Sequence, residues 1–317
     1  MLKHSRLSSF ATFVVSFLCV TLPALAAPVS FEAAKILTRQ QVYQDQNQQG
    51  TGTFYCGCKW EWTGRSGGRV DLDSCGYSIR AQDTRAIRIE WEHIVPASLF
   101  GQQRQCWQQG GRSNCKRSDP VFNVMEADLH NLAPSIGETN ADRSNYRFGM
   151  LPDAPYQHGA CDFKVDFPQR VVQPRDEIKG QIARTYFYMH DRYDLRMSSQ
   201  QQQLLMVWNR QFPPTRWEEE RDRRLARLMG HHNEFVTGQR VWNEGHKNTA
   251  DGVRVALNTR QKPTEAAPPI IGNSRSKVYH LPVGCPSYES VSDKNQVIFS
   301  SESQAISSGY RKAGNCR

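Results

Sequence analysis

Two adjacent side chains and a third one farther along the chain have the types and spacing to hydrolyse a phosphodiester. Glu92 and His93 are neighbours, and Asn140 follows the histidine by 47 positions. A histidine can take a proton from water near neutral pH. A carboxylate and a carboxamide oxygen are hard ligands that suit a hydrated Mg²⁺ ion. The three residues therefore offer a base and two metal ligands, the minimum set for a one-metal hydrolysis.

The residues before His93 are expected to form the strand that positions it. Arg88-Ile89-Glu90-Trp91 alternates between polar and apolar residues, as a half-buried strand does. Such a strand would deliver Glu92 and His93 at its end, where Pro96 bends the chain away. Because side chains alternate between the two faces of a strand, Glu90 would share a face with Glu92. We therefore expect a supporting role for Glu90.

Asn140 is expected to lie on a helix. Residues 124–140 indicate a short turn followed by a helix, with Pro134 near its first turn. Asn140 would then lie well inside the helix and could turn its carboxamide oxygen toward a metal ion. Asn131 competes for this role, but it precedes the helix, where an asparagine usually caps the helix or ties a loop. We therefore expect Asn140 to be the ligand and Asn131 to support the site.

The remaining pattern mixes helices with short strands, which predicts an α+β fold. Strand-like residues, broken by several glycines, run from 51 to 92. Residues 101–119 are polar, contain glycines and are bracketed by cysteines, which indicates a loop tied by a disulfide. Periodic apolar residues predict three further helices, at 30–48, at 186–206, and at 217–229 with Gly230 at its end.

A change in composition divides the chain. From 249 to 269 the residues are mainly Thr, Ala, Gln and Pro without an apolar period, which indicates a linker. We therefore expect a domain at 27–248 that contains the candidate site, and a small α+β module of short strands at 270–317. Within that module, Ser301 should open a short helix and Gly309 should end it.

The first 26 residues predict export of the protein. Lys3 and Arg6 precede an apolar stretch at 10–22, and Ala24-Leu25-Ala26 forms a small-x-small cleavage site. The apolar stretch is shorter than the roughly 20 residues that a spanning helix needs. We therefore expect cleavage after Ala26 and no membrane segment in the mature protein, which would be periplasmic or secreted.

The charge of the chain is compatible with a polyanionic partner. The formal net charge is +9, and removal of Lys3 and Arg6 with the signal would leave +7. A basic excess attracts nucleic acids through their phosphates, but it does not by itself establish such a partner.

Eight cysteines would remain after export, since Cys19 lies in the signal. An even number in an exported protein points to disulfides. Cys106 and Cys115 would close a short loop, and the isolated Cys285 and Cys316 would pair near the C-terminus. The other four would pair among themselves in an order that the sequence leaves open, and a zinc site at the C-x-C pair would lack the usual spacer. These four are Cys56, Cys58, Cys75 and Cys161.

Several short motifs follow one another along the first three quarters of the chain. They are Glu92-His93-Ile94-Val95-Pro96-Ala97, Gln105-Cys106-Trp107, Gly110-Gly111-Arg112, Met125-Glu126-Ala127-Asp128-Leu129, Asn131-Leu132, Gly137-Glu138, Asp142-Arg143-Ser144-Asn145 and Tyr186-Phe187-Tyr188-Met189. In this order they resemble the motifs of the bacterial endonuclease I family. The resemblance runs from about residue 30 to Val236. It implies a periplasmic or secreted nuclease without sequence preference, whose active site is a His-Me finger, also called a ββα-metal fold.

The resemblance also implies a role for each matching residue. His93 falls on the family's general base, and Arg112 falls on the arginine that binds the cleaved phosphate. Glu92 and Asn140 fall on the two metal ligands. The expected cofactor is one Mg²⁺ ion, for which Mn²⁺ or Ca²⁺ could substitute. The expected substrate is DNA, with RNA as a second candidate, bound through its phosphates by a monomer and cut to 5′-phosphate products.

One segment departs from the family's pattern. Where the family tends to have Gln-Gly-Asn-x-Asn-Pro, this chain has Met229-Gly230-His231-His232-Asn233-Glu234. The adjacent histidines look metal-like, but such pairs at a bend of the chain are usually exposed. We therefore do not expect a metal site there.

The C-terminal module resembles the zinc-binding domain of the Ada DNA-repair protein, which uses four cysteines. At the matching positions this chain has His280, Cys285, Ala313 and Cys316, so one ligand is missing. In an oxidising compartment we expect a disulfide rather than zinc. The residues that carry the resemblance are Gly272-Asn273, Ser276-Lys277-Val278-Tyr279-His280, Cys285, Ala305, Gly309-Tyr310-Arg311 and Cys316.

The main hypothesis is thus an exported, Mg²⁺-dependent endonuclease. The alternative is an exported nucleic-acid-binding protein that has lost catalysis, but the complete set of candidate residues argues against it. A zinc metalloprotease is a distant third hypothesis, because the sequence has no H-E-x-x-H motif.

Overall fold

The computed structural model describes residues 27, 28, 30–261, 269–282, 284–288, 290–299 and 301–316. The chain divides into two units, with the boundary between Val253 and Arg254. The predicted signal lies outside the described residues. The segment 249–269, predicted as a linker without apolar period, contains a helix at Asp251–Gln261, and residues 262–268 lie outside the described part.

Helices and short strands alternate through the described residues, which confirms the α+β class. The helices are α1 (Phe31–Gln41), α2 (Gln46–Gln49), α3 (Asp83–Ala86), α4 (Ala97–Gly101), α5 (Gln105–Gln108), α6 (Gly111–Ser118), α7 (Pro120–Glu126), α8 (Gly137–Arg143), α9 (Asp176–Tyr193), α10 (Ser199–Gln211), α11 (Arg216–Met229), α12 (Glu234–Thr237), α13 (Asp251–Gln261) and α14 (Glu302–Ser307). The strands are β1 (Trp60–Thr63), β2 (Gly67–Val70), β3 (Ile89–His93), β4 (Leu132–Ile136), β5 (Arg147–Phe148), β6 (Lys164–Asp166), β7 (Val171–Gln173), β8 (Ile270–Asn273), β9 (Val278–His280), β10 (Gln296–Phe299) and β11 (Arg311–Lys312). None of the helices in the described residues is long and apolar enough to cross a membrane.

An antiparallel strand pair followed by a helix forms the centre of the first unit. β3 pairs with β4, with Glu92 opposite Ala133 and His93 opposite Leu132, and α8 begins directly after β4. This is the ββα arrangement that the family resemblance implied. The two strands are joined by a long connection that contains α4 to α7.

The structure corrects the predicted helix at 124–140. Residues 120–126 are helical, but Pro134 lies in β4, opposite Trp91. Ile94 donates its amide hydrogen to the Asn131 carbonyl, so these two residues form a hydrogen-bonded pair. Because hydrogen-bonded and non-hydrogen-bonded pairs alternate along an antiparallel ladder, the pair of Trp91 with Pro134 is a non-hydrogen-bonded one. A proline at such a position removes no ladder bond, which is why the strand tolerates it.

A hydrophobic core fixes β3 between two helices. Trp91 packs there with side chains of α1, of the segment 127–132 and of α11. α1 begins at a Ser30 cap, whose hydroxyl accepts a hydrogen bond from the Ala33 amide at 3.2 Å. The buried residues of this core are Ala34, Val42, Tyr43, Trp91, Ala127, Leu129, Leu132, Leu225 and Leu228.

Several other predicted boundaries were wrong. The helix predicted at 30–48 breaks after Gln41, because Val42 and Tyr43 turn into the core. The predicted loop at 101–119 is mostly helical, forming α5 and α6. The helix predicted at 186–206 belongs to two helices, α9 and α10, which are separated by Asp194 in a left-handed conformation. The helix at 217–229 is confirmed as α11, and Gly230 ends it with a φ of 76°.

The described cysteines form four disulfides. Cys106–Cys115 and Cys285–Cys316 are the two pairings predicted from the sequence. The pairings that the sequence left open are Cys56–Cys161 and Cys58–Cys75.

The second unit contains a four-stranded sheet with the order β10-β8-β9-β11. Tyr279, Phe299 and Tyr310 form its core together with Ala305 of α14. α14 begins at a Ser301 cap, as predicted, and Gly309 follows its end with a φ of 79°.

A fully buried histidine in α9 should make the stability of the first unit depend on pH. His190 donates from Nδ1 to the Leu195 carbonyl at 3.1 Å, and burial lowers its pKa to about 4. The unfolded chain binds this proton near pH 6.5, so as the pH falls the native state loses about 1.4 kcal/mol per pH unit until its own pKa is reached. Between pH 6.5 and 4, we expect His190→Gln to reduce the slope of the unfolding free energy against pH. The reduction should correspond to about one proton fewer bound on unfolding. Urea unfolding of the oxidised protein at several pH values measures this, and an unchanged slope would contradict it.

Candidate active site

The predicted site residues meet in one open cleft of about 740 Å³. β3, the start of α6 and the middle of α8 each contribute side chains to it, and Phe31 and Lys35 of α1 also line it. The sequence-predicted residues that line the cleft are Glu90, Glu92, His93, Arg112 and Asn140.

The ring of His93 is held in one tautomer. Its Nε2 lies 2.9 Å from the backbone carbonyl of Glu126. A carbonyl can only accept, so the ring hydrogen is on Nε2 and Nδ1 carries the lone pair. The side chain packs against Phe31 and Phe100 and is only 9% exposed, and burial lowers its pKa to about 3. The imidazole is therefore neutral near neutral pH, and among the described residues nothing hydrogen bonds to its Nδ1.

Glu92 presents one unused carboxylate oxygen. Tyr55 donates its hydroxyl to Oε1 at 2.7 Å, and Nη1 of Arg143 lies 3.4 Å from the same oxygen. Within the described part of the chain Oε2 has no hydrogen-bond partner. Burial raises the pKa of Glu92 to about 7, against the opposing effects of Arg143 and Tyr55. A cation at Oε2 would favour the ionised form, so the environment suits a metal ligand.

Asn140 is oriented by Glu90. Its Nδ2 donates to Glu90 Oε2 at 2.9 Å, and because a carboxylate only accepts, this contact fixes which end of the amide faces Glu90. The amide oxygen remains as the other end. Burial would raise the pKa of Glu90, but Arg85 and Arg88 outweigh it and hold that pKa below its usual value. Glu90 is thus ionised near neutral pH, and it holds the nitrogen end of the Asn140 amide toward itself.

The geometry therefore fits a divalent ion. Glu90 and Glu92 are two positions apart on β3, so their side chains leave the strand on the same face, roughly 7 Å apart. Because Asn140 contacts Glu90, its side chain reaches this face as well. A carboxylate oxygen and an amide oxygen, both without partners among the described residues, are ligands that Mg²⁺ accepts when waters complete its shell.

Arg112 faces the cleft from the disulfide-tied segment. Its Nε lies 2.6 Å from Oε1 of Glu126, and its side chain is 44% exposed. Its two terminal nitrogens make no hydrogen bond to a carboxylate in the described residues and are available to a phosphate. α6 begins at Gly111, whose φ of 64° favours glycine, and the disulfide joins this helix to α5.

Glu126, for which no role was predicted, organises two of these residues. Its carbonyl holds the His93 ring and its buried carboxylate holds Arg112, with Lys116 at 3.5 Å from the other oxygen. The residue was part of the quoted motif Met125-Glu126-Ala127-Asp128-Leu129. An acidic residue within this motif was the sequence signal that could have singled it out.

Arg143 also had no predicted role and, unlike Glu126, it lines the cleft. Its guanidinium is buried and donates to the carbonyl of Ile94 at 2.7 Å and to that of His93 at 3.4 Å. It therefore ties α8 to the end of β3 and also faces Glu92. Only the folded chain brings these groups together, since they are about 50 positions apart.

Asn131 does not line the cleft. It is fully buried, its Oδ1 accepts from the Val95 amide at 2.7 Å, and its Nδ2 donates to the Val95 carbonyl at 2.9 Å. Both ends of its amide are therefore occupied, and it fixes the turn after His93. Asn131 supports the site as a tie between two segments, which leaves Asn140 as the available amide ligand.

Two acidic residues on either side of Asn140 hold α8 in place. Glu138 accepts from the backbone amides of residues 80, 81 and 82 and from the Tyr77 hydroxyl. Asp142 accepts from the guanidinium of Arg80 at 2.6 Å. At the start of the helix, a Cβ at Gly137 would lie 2.5 Å from the Arg85 carbonyl, so only glycine allows this close approach.

The paired histidines after α11 are not part of the cleft lining. His231 is partly buried and contacts the Tyr188 hydroxyl at 2.8 Å through Nε2, while its Nδ1 lies 2.9 Å from the Met229 carbonyl. His232 is exposed and lies 2.6 Å from Asp222. All three contacts are to groups of the protein itself, and the expectation of two exposed histidines was wrong for His231.

Comparison with known proteins identifies relatives of the first unit. The family described as Endonuclease I matches residues 30–239. An extracellular deoxyribonuclease of Aeromonas hydrophila is 50% identical over 221 residues, which cover 69% of this chain and 93% of the relative. A periplasmic deoxyribonuclease of the same organism is 48% identical over 219 residues, covering 68% and 92%. Endonuclease-1 of Buchnera aphidicola subsp. Acyrthosiphon pisum is 45% identical over 185 residues, covering 58% and 73%.

Proposed function

Since this chain belongs to the endonuclease I family, we propose that its cleft is the active site of an Mg²⁺-dependent endonuclease that hydrolyses DNA with little sequence preference. The protein is an exported nuclease, periplasmic or secreted. The observation that carries the mechanistic proposal is the neutral His93 ring, with its free Nδ1 in the same cleft as the unused oxygens of Glu92 and Asn140.

His93 acts as the general base. Nδ1 takes a proton from the water that attacks phosphorus, and the Glu126 carbonyl, which accepts from Nε2–H, stabilises the imidazolium that forms. The low pKa of the free ring keeps the base neutral, and the approach of an anionic phosphate raises its basicity during the reaction.

Glu92 and Asn140 would hold the metal ion, and a bound ion would supply positive charge near the phosphate and the leaving 3′ oxygen. Glu92 contributes the negative charge and Asn140 a neutral oxygen. Glu90 keeps the amide of Asn140 in the required orientation, and Tyr55 and Arg143 fix the carboxylate of Glu92.

Arg112 binds a nonbridging oxygen of the cleaved phosphate. Glu126 holds the guanidinium through Nε, which leaves the two terminal nitrogens to bind the phosphate. Contacts of this kind position the backbone of the nucleic acid and carry no sequence information. A site made of phosphate contacts therefore agrees with weak sequence preference.

DNA is the proposed substrate because the relatives are named as deoxyribonucleases, and attack with loss of the 3′ oxygen gives 5′-phosphate ends. RNA remains a second candidate substrate, since phosphate contacts and a metal ion do not discriminate against a 2′-hydroxyl. The proposed active form is a monomer, because the described chain supplies every residue of the cleft.

A metal and substrate panel on the purified, oxidised protein tests the function. With Mg²⁺ we expect supercoiled plasmid to be nicked and then degraded, EDTA to stop the reaction, and added Mg²⁺ or Mn²⁺ to restore it. The nicks should be sealed by a ligase without prior phosphorylation, which shows 5′-phosphate ends. Single-stranded RNA in a parallel reaction decides the second substrate. A plasmid mobility shift without cleavage in any metal would favour the binding protein without catalysis.

A further inference from the structure

The turn that follows α8 contains a serine in a strained backbone conformation. Ser144 has a φ of 50° and a ψ of −121°, and across the turn the amide of Tyr146 donates to the Arg143 carbonyl at 3.0 Å. These angles match the first central position of a type II′ turn, which glycine dominates because it has no Cβ. A serine at this position costs conformational free energy that the rest of the structure must offset.

The backbone contacts of Ser144 do not explain why the residue is a serine. Its amide donates to the Asn140 carbonyl at 3.1 Å, and its carbonyl accepts from Nη1 of Arg143 at 3.3 Å. A glycine would make both bonds with less strain. The side chain of Ser144 is exposed and lines the cleft, and in the described part of the chain its hydroxyl has no hydrogen-bond partner. The serine is therefore best explained by a group that enters the cleft.

Asn145, the next residue, presents a second hydrogen-bond donor. It is exposed and lines the cleft, and its Oδ1 accepts from Nη2 of Arg170 at 2.6 Å. Because a guanidinium only donates, this contact assigns the oxygen end of the amide to Arg170. The nitrogen end of Asn145 makes no hydrogen bond to any residue that the structure describes, so its two hydrogens are available to another acceptor.

Arg170 brings a positive charge to this edge of the cleft. Its guanidinium lies over the ring of Tyr146 at 5.2 Å, and its carbonyl accepts from the Arg147 amide at 3.2 Å. Arg170 is exposed, and within the described ranges it forms no ion pair with a carboxylate. Like Ser144 it has a positive φ, of 57°. Two non-glycine residues with left-handed backbones thus belong to one cluster of hydrogen-bond donors.

We propose that Ser144, Asn145 and Arg170 form a second phosphate subsite, which binds a DNA phosphate next to the cleaved one. The three side chains present a hydroxyl, an amide nitrogen and a guanidinium, all of which can donate to phosphate oxygens. The amide of Ser144 bonds to the Asn140 carbonyl, so the subsite lies about one helical turn, or roughly 6 Å along the axis of α8, from the proposed metal ligand. This inference rests on the proposed cleavage of DNA in the cleft.

Such a subsite strengthens binding of the substrate without taking part in bond cleavage. The neighbouring phosphate keeps its charge in both the ground state and the transition state, so the contact lowers KM and leaves kcat nearly unchanged. A turn that served only to place Asn140 would act through the metal ion and would therefore change kcat. The two roles of Ser144 are thus distinguishable by kinetics.

Ser144→Gly removes the strain and the hydroxyl together, so stability and affinity should change in opposite directions. We expect the oxidised variant to be at least as stable to urea as the wild type, because glycine adopts the required φ without strain. Its affinity for a short labelled duplex should fall about tenfold, since a hydrogen bond to a charged group is lost. Ser144→Ala should lose the same affinity and be less stable than Ser144→Gly. Fluorescence anisotropy in EDTA measures binding without cleavage, and a glycine variant that binds like the wild type would overturn the proposal.

The salt dependence of DNA binding tests the positive charge of the subsite. In Arg170→Gln the slope of log affinity against log salt should become smaller by about 0.9, which corresponds to one phosphate contact fewer. The matched control is Arg216→Gln, which makes the same change at an exposed residue outside the cleft lining, at the start of α11. This control should keep the wild-type slope. Equal slopes in the wild type and Arg170→Gln would contradict the subsite.

Cleavage kinetics separate the subsite from the proposed function. For Ser144→Gly and Arg170→Gln we expect a higher KM for duplex DNA, with kcat changed by less than about twofold. A lower kcat at an unchanged KM would show that the turn only positions Asn140, and it would overturn the subsite. If the wild type cleaved no DNA in any metal, the proposed function would fall, while the binding measurements in EDTA would still decide the subsite.

Discussion

His93→Ala is expected to lower the rate of plasmid cleavage by about 10²–10⁴-fold, the range that general-base catalysis contributes. The variant keeps the proposed metal ligands and Arg112, so substrate and metal should still bind. The loss should therefore appear in the rate of the chemical step and should not be recovered by more Mg²⁺. Single-turnover cleavage of a labelled duplex at saturating protein measures this step directly.

The buried position of His93 requires two controls. The ring packs against Phe31 and Phe100, so its removal leaves a cavity, and urea unfolding must show that the variant is folded under the assay conditions. Because this cavity opens into the cleft, added imidazole should restore part of the rate. A folded variant that retains more than about a tenth of the wild-type rate would contradict the role of His93.

The local part of the site could be predicted from the sequence because its pattern is local. The alternation of residues 88–91 predicted the strand that carries Glu90, Glu92 and His93, and β3 lies at Ile89–His93. The partner strand was missed, because Leu132-Ala133-Pro134-Ser135-Ile136 is strand only through its pairing with β3. A pattern that contains proline and lacks alternation gives no local signal for a strand.

The contacts that position the side chains could not be predicted for a related reason. Glu126 acts on His93 through a backbone carbonyl, and every residue has a carbonyl, so residue type carries no information about this contact. The same holds for Arg143, which donates hydrogen bonds to the backbone carbonyls of residues that are distant in sequence. The open cysteine pairings follow the same rule, since four cysteines allow three connectivities and only the fold selects one.

Asn140 and Asn131 show how far residue type can decide a role. Both are asparagines of the segment predicted as a turn and a helix, and position in the chain favoured Asn140 as the ligand. The structure gives a physical reason for this preference, because Val95 occupies both ends of the Asn131 amide while Glu90 occupies only the nitrogen of Asn140. The distinction depends on unused hydrogen-bonding capacity, which only the folded chain defines.

Glu92→Gln should have the second large effect on cleavage. It should act by weakening metal binding, whereas His93→Ala removes the group that accepts the proton. The substitution keeps the shape of the side chain and a carbonyl oxygen for the Tyr55 hydroxyl, but it removes the charge that we propose to hold a divalent ion. We expect the affinity for Mn²⁺, measured in the absence of DNA, to fall by more than about 100-fold, beyond the 10–100-fold typical of an outer partner. The cleavage rate at low Mg²⁺ should fall in parallel and recover in part at high Mg²⁺, which His93→Ala should not do.

Two matched substitutions show whether the loss of Mn²⁺ affinity is specific to Glu92. Glu90→Gln alters the partner that orients Asn140 without removing a ligand, so it should weaken Mn²⁺ binding by about 10–100-fold. Glu61→Gln makes the same chemical change on the exposed face of β1 and should bind metal like the wild type. Arg143 keeps its bonds to the carbonyls of His93 and Ile94 in Glu92→Gln, so the variant should remain folded. If Glu90→Gln weakened metal binding as much as Glu92→Gln did, Glu90 would be a ligand in its own right and the assignment of the pair would be wrong.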